Sequence, residues 1–150
     1  MRYFKISLFL LLSIIMSCSS TTIEANEWLE SYPIALEQAQ KTDKMILLNF
    51  TGSDWCGWCM RLDEEVFSTP EFNEFVKENL ILLKIDFPSE IPQSELVKAN
   101  NRALLEKYGV KGFPTIVFID KNEEIIAVTG YQAGGALAYI EHMREIGIGK

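Results

Sequence analysis

The sequence predicts an α/β fold in which a central mixed sheet of about four to five strands is flanked by helices on both faces. Short apolar runs of strand length alternate with longer amphipathic segments along most of the chain, a pattern typical of parallel strands joined by helices. Near the C-terminal end, two apolar runs are separated only by the polar stretch KNEE, residues 121–124. That short connection predicts a hairpin, which adds an antiparallel edge to the sheet.

Length and composition are consistent with one such domain. The chain has 150 residues, of which 48% are hydrophobic, and this is enough for a single core of ordinary size. Its formal net charge of −7 opposes binding to a phosphate backbone. Nucleic acid is therefore not an expected partner.

The first predicted elements of the domain are a helix within residues 27–43 and a strand at residues 45–51. Ser31 is a suitable N-cap for the helix, and Pro33 is tolerated in its first turn. The strand sequence, MILLNFT, is a nearly continuous apolar run. Such a run predicts a strand that is buried on both faces.

The next segment, TGSDWCGWCMRLDEEVF, contains two of the three cysteines. Cys59, Leu62 and Val66 are spaced as i, i+3 and i+7, which predicts a helix with these side chains on its inward stripe. Another helix is predicted to begin in STPEFNEF, residues 68–75. A serine or threonine can cap it there, and Pro70 can occupy its first turn.

Residues 80–86, with the sequence LILLKID, are the next predicted buried strand. A helix is predicted to follow, from about residue 93 to about residue 108. Asn100 and Asn101 weaken this helix in its middle, because asparagine is a poor helix former.

The last predicted elements are a strand at residues 114–120, its hairpin partner IIAVTG at residues 125–130, and a closing helix in GGALAYIEHMREIG. In the closing helix, Ala136, Ile140 and Met143 fall on one face. This face is expected to pack on the sheet.

The N-terminal segment has the features of a signal peptide. Arg2 and Lys5 are followed by an apolar run, residues 6–16, which is broken only by two serines. At about 1.5 Å per residue, this run is too short to span a bilayer core of about 30 Å. A basic start, a short apolar stretch and then small residues predict a secretory signal peptide over residues 1–17. Export would place the protein in a compartment where disulfides persist.

Cys18 directly follows this segment, in the sequence IIMSCSS, and the arrangement resembles a bacterial lipoprotein signal. The resemblance implies that Cys18 is lipidated and becomes the first residue of the mature chain. Several acyl chains would then hold the protein to a membrane, because one chain alone anchors only marginally. Residues 18–26 would form a tether, and residues 27–150 would form the folded domain. The alternative is an ordinary cleaved signal in which Cys18 has no role.

The other two cysteines, Cys56 and Cys59, are separated by two residues, and this C-x-x-C pair allows three interpretations. A structural zinc site needs four ligands, but Cys18 is remote and the only histidine, His142, is predicted to be exposed on the closing helix. A purely structural disulfide would add little stability, because the loop that it closes is so short. The third interpretation is a redox couple.

A redox role has a physical basis in the predicted positions of the pair. Cys56 lies where a strand ends and a helix begins, so free N–H groups and the helix dipole favour its thiolate. They should lower its pKa below the usual value of about 8.5. Cys59 lies one turn further along and faces the core. Cys56 can thus attack a partner's disulfide from the exposed helix start, and Cys59 can resolve the mixed disulfide.

Two longer segments resemble the thioredoxin superfamily, and more narrowly the thioredoxin-like proteins of bacterial envelopes. LLNFTGSDWCGWC, residues 47–59, has the strand, the tryptophan and the C-x-x-C of that family. YGVKGFPTIVFID, residues 108–120, is similar to the family segment that carries a cis-proline beside the disulfide, and VTGY, residues 128–131, is similar to the glycine region before the last helix. The resemblance covers residues 27 to about 148 and implies a thioredoxin fold.

The resemblance also implies an activity and a site. The protein would be an exported thiol–disulfide oxidoreductase, with Cys56 as the nucleophile and Cys59 as the resolving thiol. Pro114 matches the cis-proline, and Phe113 before it would offer its backbone N–H and C=O to an extended substrate peptide. No metal and no organic cofactor is implied beyond the redox-active disulfide itself.

Trp55 and Trp58 are expected to lie beside this substrate-binding edge. Trp58 replaces the proline that reducing thioredoxins have between their cysteines. Its bulk either covers the disulfide and contacts an apolar partner, or simply packs. Trp58 at this place favours a reduction potential of the cysteine pair that is less reducing than that of thioredoxin. It does not determine the direction of electron transfer.

The expected partners are protein thiols and disulfides, together with a membrane or envelope redox protein that supplies electrons. The lipid anchor would bring the chain to the membrane. Two alternatives stay open. The chain could be a binding or chaperone-like lipoprotein with incidental cysteines, or it could be a dedicated reductant of one partner, such as a cytochrome-maturation apoprotein.

Proton handling is the main departure from the family pattern. Many thioredoxins have a buried aspartate in the first core strand and a lysine in the next strand, whereas Asn49 and Leu82 lie near those places here. There is also one residue more between the strand and Cys56. Asp54 or water is the candidate for moving the proton of Cys59, and the alternative role of Asp54 is that of a solvated loop carboxylate.

Overall fold

The structure is a computed structural model that describes residues 26–149. The predicted signal peptide, Cys18 and most of the predicted tether lie outside the described residues. The elements follow the predicted order. The helices are α1 (Tyr32–Thr42), α2 (Gly57–Leu62), α3 (Pro70–Asn79), α4 (Glu95–Lys107) and α5 (Gly135–Glu145), and the strands are β1 (Met45–Thr51), β2 (Leu80–Asp86), β3 (Thr115–Ile119) and β4 (Ile125–Thr129).

The four strands form one mixed sheet in the order β2-β1-β3-β4. β1 and β2 are parallel, whereas β1 with β3 and β3 with β4 are antiparallel. The predicted mixed sheet is confirmed, but the expectation that antiparallel pairing is confined to the final hairpin is wrong. Short apolar runs look alike in both kinds of sheet, so their pattern does not reveal strand direction. The turn after α4 decides it, because it brings the start of β3 beside the end of β1, where Thr115 pairs with Phe50.

Helices cover both faces of the sheet, as predicted. Successive side chains of a strand point to opposite faces, and two apolar layers result. α2, α3 and α5 cover one face with residues such as Leu62, Phe72 and Tyr139. α1 and α4 cover the other face, where Ala35 and Ala39 are completely buried.

The helix that carries the cysteines presents the predicted inward stripe. Cys59, Leu62 and Val66 are 5%, 1% and 0% exposed. After Leu62 the helix continues as one π turn, Asp63–Phe67, a local widening that is frequent at functional sites. The stripe holds the second cysteine against the core.

Local sequence signals set several helix ends. The hydroxyl of Thr69 accepts the N–H of Phe72 at 3.3 Å, and that of Ser94 accepts the N–H of Val97 at 3.3 Å. Ser31 occupies the predicted N-cap of α1, but its side chain makes no capping hydrogen bond. The first helix therefore depends more on its packing than on its cap.

The two asparagines in the middle of α4 have different environments. Asn101 is 6% exposed, and its Nδ2 donates a hydrogen bond of 2.8 Å to the backbone carbonyl of Asp86. Asn100 is exposed. Asn101 thus ties α4 to the end of β2, which explains why the helix contains a residue of low helix propensity.

Candidate active site

The two cysteines lie just beyond the carboxyl end of β1, and they form a disulfide with the Cα atoms 5.2 Å apart. Cys56 is the N-cap of α2, and its Sγ accepts a hydrogen bond of 3.2 Å from the backbone N–H of Cys59. Free N–H groups and the helix dipole stabilise a negative charge at this position. The geometry is therefore suited to a thiolate on Cys56.

Both cysteines are largely covered. Cys59 is shielded as expected, with 5% of its surface exposed, but Cys56 is only 7% exposed, so the expectation of an exposed Cys56 is wrong for the oxidised pair. The sulfur of Cys56 is bonded to Cys59 and directed toward the first turn of α2, which accounts for its low exposure. The cysteines differ in their surroundings, because Cys56 caps the helix, whereas Cys59 lines a cavity that is partly open to solvent.

One group of aromatic side chains connects the disulfide loop to the predicted substrate-binding edge. The ring of Trp55 lies edge-on to that of Phe113 at 5.9 Å, and Phe113 stacks on Phe87 at 5.1 Å. Trp55 Nε1 donates a hydrogen bond of 2.8 Å to the carbonyl of Phe87. The Phe113–Pro114 peptide bond is cis. The structure thus brings Trp55, Phe113 and Pro114 together and adds Phe87, whose position directly after a buried strand was the only sequence signal for it.

A second group of side chains surrounds Trp58, which is 56% exposed. Its ring lies 5.1 Å from that of Tyr131, and the guanidinium of Arg61 lies 5.6 Å and 5.5 Å from the two ring centroids. Glu65 accepts hydrogen bonds of 2.6 Å from Tyr131 and from Arg61, and these bonds lower its pKa.

These contacts hold Trp58 on the surface beside the disulfide, so it is neither buried nor free. Tyr131, Arg61 and Glu65 are not among the site residues predicted from the sequence. The i, i+4 spacing of Arg61 and Glu65 on the cysteine helix was the available signal.

Asp54 anchors the loop that follows β2. Its carboxylate accepts the backbone N–H groups of Ser89, Glu90 and Ile91 at 2.8, 2.7 and 3.1 Å. These bonds lower the pKa of Asp54. Asp54 is thus a loop carboxylate near the surface, in line with the second role predicted for it, and it also clamps the loop after β2.

Asp86 connects three parts of the site. Its carboxylate accepts the N–H and the hydroxyl of Ser53 at 3.0 and 2.6 Å. Its backbone carbonyl accepts Nδ2 of Asn101 at 2.8 Å and Nε2 of Gln93 at 3.2 Å. Through Asp86, the end of β2 and helix α4 support the loop that leads to Cys56.

A cavity of about 320 Å³ lies behind the disulfide and is lined by Cys59, Asn49, Asp63, Lys84 and neighbouring residues. Asn49 pairs with Lys84 across the parallel strands. Alternation of side chains places Lys84 on the same face of the sheet as Leu82, two residues further along β2. The positive charge near the disulfide therefore comes from Lys84. In the sequence only Leu82 was found near the position of the family lysine, so Lys84 was not predicted to lie there.

The glycine region before α5 lies against the predicted substrate-binding edge. A Cβ atom on Gly130 would stand 3.2 Å from the carbonyl oxygen of Pro114, and the carbonyl of Gly130 accepts the hydroxyl of Tyr139 at 3.3 Å. A glycine is suited to this close approach of two backbone segments.

His142 is only partly exposed, in contrast to the prediction, because its Nε2 lies 2.9 Å from the hydroxyl of Thr129 on β4. Within residues 26–149, no three His, Cys, Asp or Glu side chains come together in a way that could hold a metal ion. In the same part of the chain, no helix combines the length and the apolar character needed to cross a bilayer.

Comparisons with known proteins agree with this geometry. The profile of a family described as a thioredoxin-like domain matches residues 32–143. The chain is 38% identical over 120 residues to the disulfide bond reductase DsbH of Chlamydia pneumoniae, a match that covers 80% of this chain and 72% of that protein. It is 29% identical to the thioredoxin-related protein DsbJ of the same organism, covering 87% of this chain but only 42% of DsbJ.

A solved structure of a DsbH oxidoreductase superimposes with a TM-score of 0.75 at 37% identity, and the match covers 81% of this chain and 86% of that chain. Family profile, sequence identity and fold therefore agree. The chain belongs to the thioredoxin-like family and is homologous to thiol–disulfide oxidoreductases.

Proposed function

We propose that the protein is an exported reductase of protein disulfides, with Cys56 as the nucleophile and Cys59 as the resolving thiol. The observation that carries this proposal is the position of Cys56 at the start of α2, where its Sγ accepts the N–H of Cys59 at 3.2 Å. The same interactions favour a thiolate once the pair is reduced, and the thiolate is the attacking species in disulfide exchange. The similarity to a protein named as a disulfide bond reductase supports the reducing direction.

The reaction moves two electrons from the dithiol to a partner disulfide. The Cys56 thiolate attacks one sulfur of the partner, the partner's S–S bond breaks, and its other sulfur leaves as a thiolate. Cys59 then loses its proton and attacks Cys56 Sγ, which re-forms the Cys56–Cys59 bond and releases the second partner thiol. A membrane or envelope redox protein supplies the two electrons that regenerate the dithiol, and no metal or organic cofactor takes part.

The substrate-binding surface is formed by Trp55, Trp58, Phe113 and Pro114. Trp55 and Trp58 are 53% and 56% exposed, and each is held by the contacts described above. Large aromatic side chains that are exposed yet fixed are suited to binding apolar groups. The preferred substrate is an extended segment with apolar side chains beside its cysteine.

The protein acts outside the cytoplasm and is held to a membrane. The support is the sequence of the N-terminus, in which a basic start and an apolar run at residues 6–16 directly precede Ser17 and Cys18; we propose cleavage after residue 17 and lipidation of Cys18. Residues 18–26 tether the domain of residues 27–150, so that the disulfide can reach membrane and envelope partners.

Trapping of a covalent partner tests the assignment of the cysteines. Cys59→Ser should accumulate mixed disulfides on Cys56, because no internal thiol resolves them. Cys56→Ser is the matched control and should trap nothing. Non-reducing gels of the two variants, expressed in their own envelope, should show slower bands only for Cys59→Ser, and reductant should remove them. Equal trapping by both variants would contradict the division of roles.

Insulin reduction and the reduction potential of the pair test the direction. A potential near about −270 mV supports a reductase, whereas one near about −120 mV indicates an oxidase. Insulin reduction that is lost in Cys56→Ser supports the enzyme. Partner binding that survives both cysteine substitutions, with no trapping, would favour the binding-protein alternative, and weak insulin activity with strong trapping of one partner would favour a dedicated reductant.

A further inference from the structure

The cavity behind Cys59 contains an unusual buried group. Asn49 is 7% exposed, and its Oδ1 has no hydrogen-bond partner anywhere in residues 26–149. Buried polar atoms in proteins almost always have a partner, either in the protein or in an ordered water molecule. The side chain lines the same cavity as Cys59, so a group that pairs with Asn49 there is close to the resolving cysteine.

Water fits this place. The cavity measures about 320 Å³, and one water molecule occupies about 30 Å³ of the liquid. Its walls include hydroxyls, charged groups and the amide of Asn49, and a polar site of this kind offers a water molecule the two to four partners that it needs. A water that donates one hydrogen to Asn49 Oδ1 has its oxygen lone pairs free for another donor.

The charged groups of the cavity come from three separate parts of the chain. Glu30 precedes α1, Asp63 begins the π turn after α2, and Lys84 lies on β2, 3.6 Å from the carboxylate of Asp86. The amide of Asn49 cannot accept a proton at neutral pH, whereas the carboxylates of Glu30 and Asp63 can. Asp63 follows Cys59 by four residues, which places the two side chains on the same face of the helix.

Asp63 is also accessible from solvent. The residue is exposed, and the hydroxyl of Ser68 is 3.4 Å from Oδ2 of its carboxylate. A carboxylate in this position is near Cys59 on one side and can exchange protons with bulk water on the other. Lys84 adds a positive charge to the cavity, which favours the anionic form of Cys59.

We infer that this cavity is the proton exit of Cys59, in which Asn49 orients a water molecule toward the thiol and Asp63 accepts the proton. The inference rests on the proposed role of Cys59 as the resolving thiol. Asn49 is a positioning residue, because it acts through the water. Asp54, whose carboxylate is bound to the loop after β2, takes no part.

The proton of Cys59 Sγ passes to the water oxygen, and the water passes a proton to the Asp63 carboxylate, which releases it to solvent. The Cys59 thiolate attacks Cys56 Sγ and forms the Cys56–Cys59 bond. The bond between Cys56 and the partner sulfur breaks, and the partner sulfur leaves with the electron pair.

With a dipyridyl disulfide as substrate, the reactions of the two cysteines can be distinguished in one experiment. Attack by Cys56 on this probe releases one thiopyridone, and attack by Cys59 on the resulting mixed disulfide releases a second. Stopped-flow absorbance of the reduced protein therefore shows a first phase for Cys56 and a second phase for Cys59. The second phase is measured as a function of pH in the unsubstituted protein and in each variant.

Asn49→Leu keeps the approximate volume of the side chain but removes the hydrogen-bond acceptor. It should slow the second phase by about tenfold or more below the pKa of Cys59. This is less than the roughly 10²–10⁴-fold that a positioned general acid or base contributes, because Asn49 acts only through the water. Asp63→Asn should slow the second phase similarly, and the exposed Glu64→Gln is the matched control that should leave it unchanged. Asn49→Asp should add a second ionisation to the pH profile of this phase, an effect that a purely structural role of Asn49 would not produce.

The first phase should be unchanged in all four variants. If Asn49→Leu and Asp63→Asn both leave the rate and pH profile of the second phase unaltered, the inference is wrong. An unchanged second phase in Asp63→Asn alone overturns Asp63 as the acceptor, and this exposed substitution decides the point even if Asn49→Leu disturbs folding. Absence of the first phase in the unsubstituted protein would refute the proposed function instead.

Discussion

Replacement of Asn101 by alanine should destabilise the protein, although alanine is the better helix former. Asn101 lies in the middle of α4, is 6% exposed, and donates a hydrogen bond of 2.8 Å to the carbonyl of Asp86. The neighbouring Asn100 is exposed and has the same intrinsic helix propensity. Asn100→Ala is therefore the matched control.

The expected free-energy change follows from three contributions. Loss of the hydrogen bond costs about 0.5–1.5 kcal/mol, and removal of the buried amide group costs roughly 1 kcal/mol of packing. The gain in helix propensity offsets about 0.6 kcal/mol. The carbonyl of Asp86 keeps the hydrogen bond from Gln93, so the cost of an unpaired acceptor does not apply. The free energy of unfolding should fall by about 1–2 kcal/mol in Asn101→Ala and rise by about 0.6 kcal/mol in Asn100→Ala.

Urea unfolding of the oxidised proteins, followed by circular dichroism, measures this difference through the transition midpoint at constant slope. The disulfide is kept intact so that both variants unfold from the same covalent form. An Asn101→Ala protein that is as stable as Asn100→Ala would refute the reasoning, because helix propensity alone would then account for both. A loss in Asn100→Ala equal to that in Asn101→Ala would refute it as well.

Three further predictions concern the anchor, the loop clamp and the disulfide loop. Cys18→Ala should be unprocessed or released from membranes, and a variant that is cleaved normally yet fractionates with membranes would exclude lipidation. The pKa of Asp54 is lowered by three backbone N–H groups, so its stabilising effect is present above the unfolded pKa and is lost as the pH falls through the folded pKa. Protection of the backbone amides of the loop after β2 against hydrogen exchange should therefore decrease in acid. In Asp54→Ala this protection should be low already at neutral pH. Unchanged protection in the variant would contradict the role of Asp54 as a clamp. Gly52→Ala should displace Trp55 and change its fluorescence, because a Cβ there would lie 2.5 Å from the indole, whereas Gly57→Ala, with nothing within 4 Å, should not.

Most secondary-structure elements and the buried stripe of the cysteine helix could be predicted from the sequence because their signals are local. The apolar run of residues 45–51 forms β1 with the predicted bounds. The spacing of Cys59, Leu62 and Val66 correctly placed these side chains on the buried stripe. A helix period or a strand period depends only on neighbours within one or two turns, so the sequence contains this information directly.

The direction of β3 and the surroundings of the disulfide depended on contacts between distant parts of the chain. Phe87 follows β2 and Tyr131 follows β4, and these positions in the sequence do not reveal which side chains they contact. In the structure Phe87 lies beside Trp55, and Tyr131 lies beside Trp58. His142 was expected to be exposed from helical spacing alone, and its contact with Thr129 arises because α5 packs beside β4. Such pairings depend on how the strand ends and loops meet in space.

The proposed proton path of Cys59 also depends partly on the sequence alone and partly on the tertiary structure. The sequence alone determined that the residue near the family's buried aspartate is Asn49, and hence that this position has no ionisable group. Only the tertiary structure placed Lys84 opposite Asn49 and opened a cavity next to Cys59. It also directed Asp54 away to the loop after β2. The physical reason is that burial and an unpaired acceptor are properties of a packed interior, which forms only when strands and helices from separate parts of the chain come together.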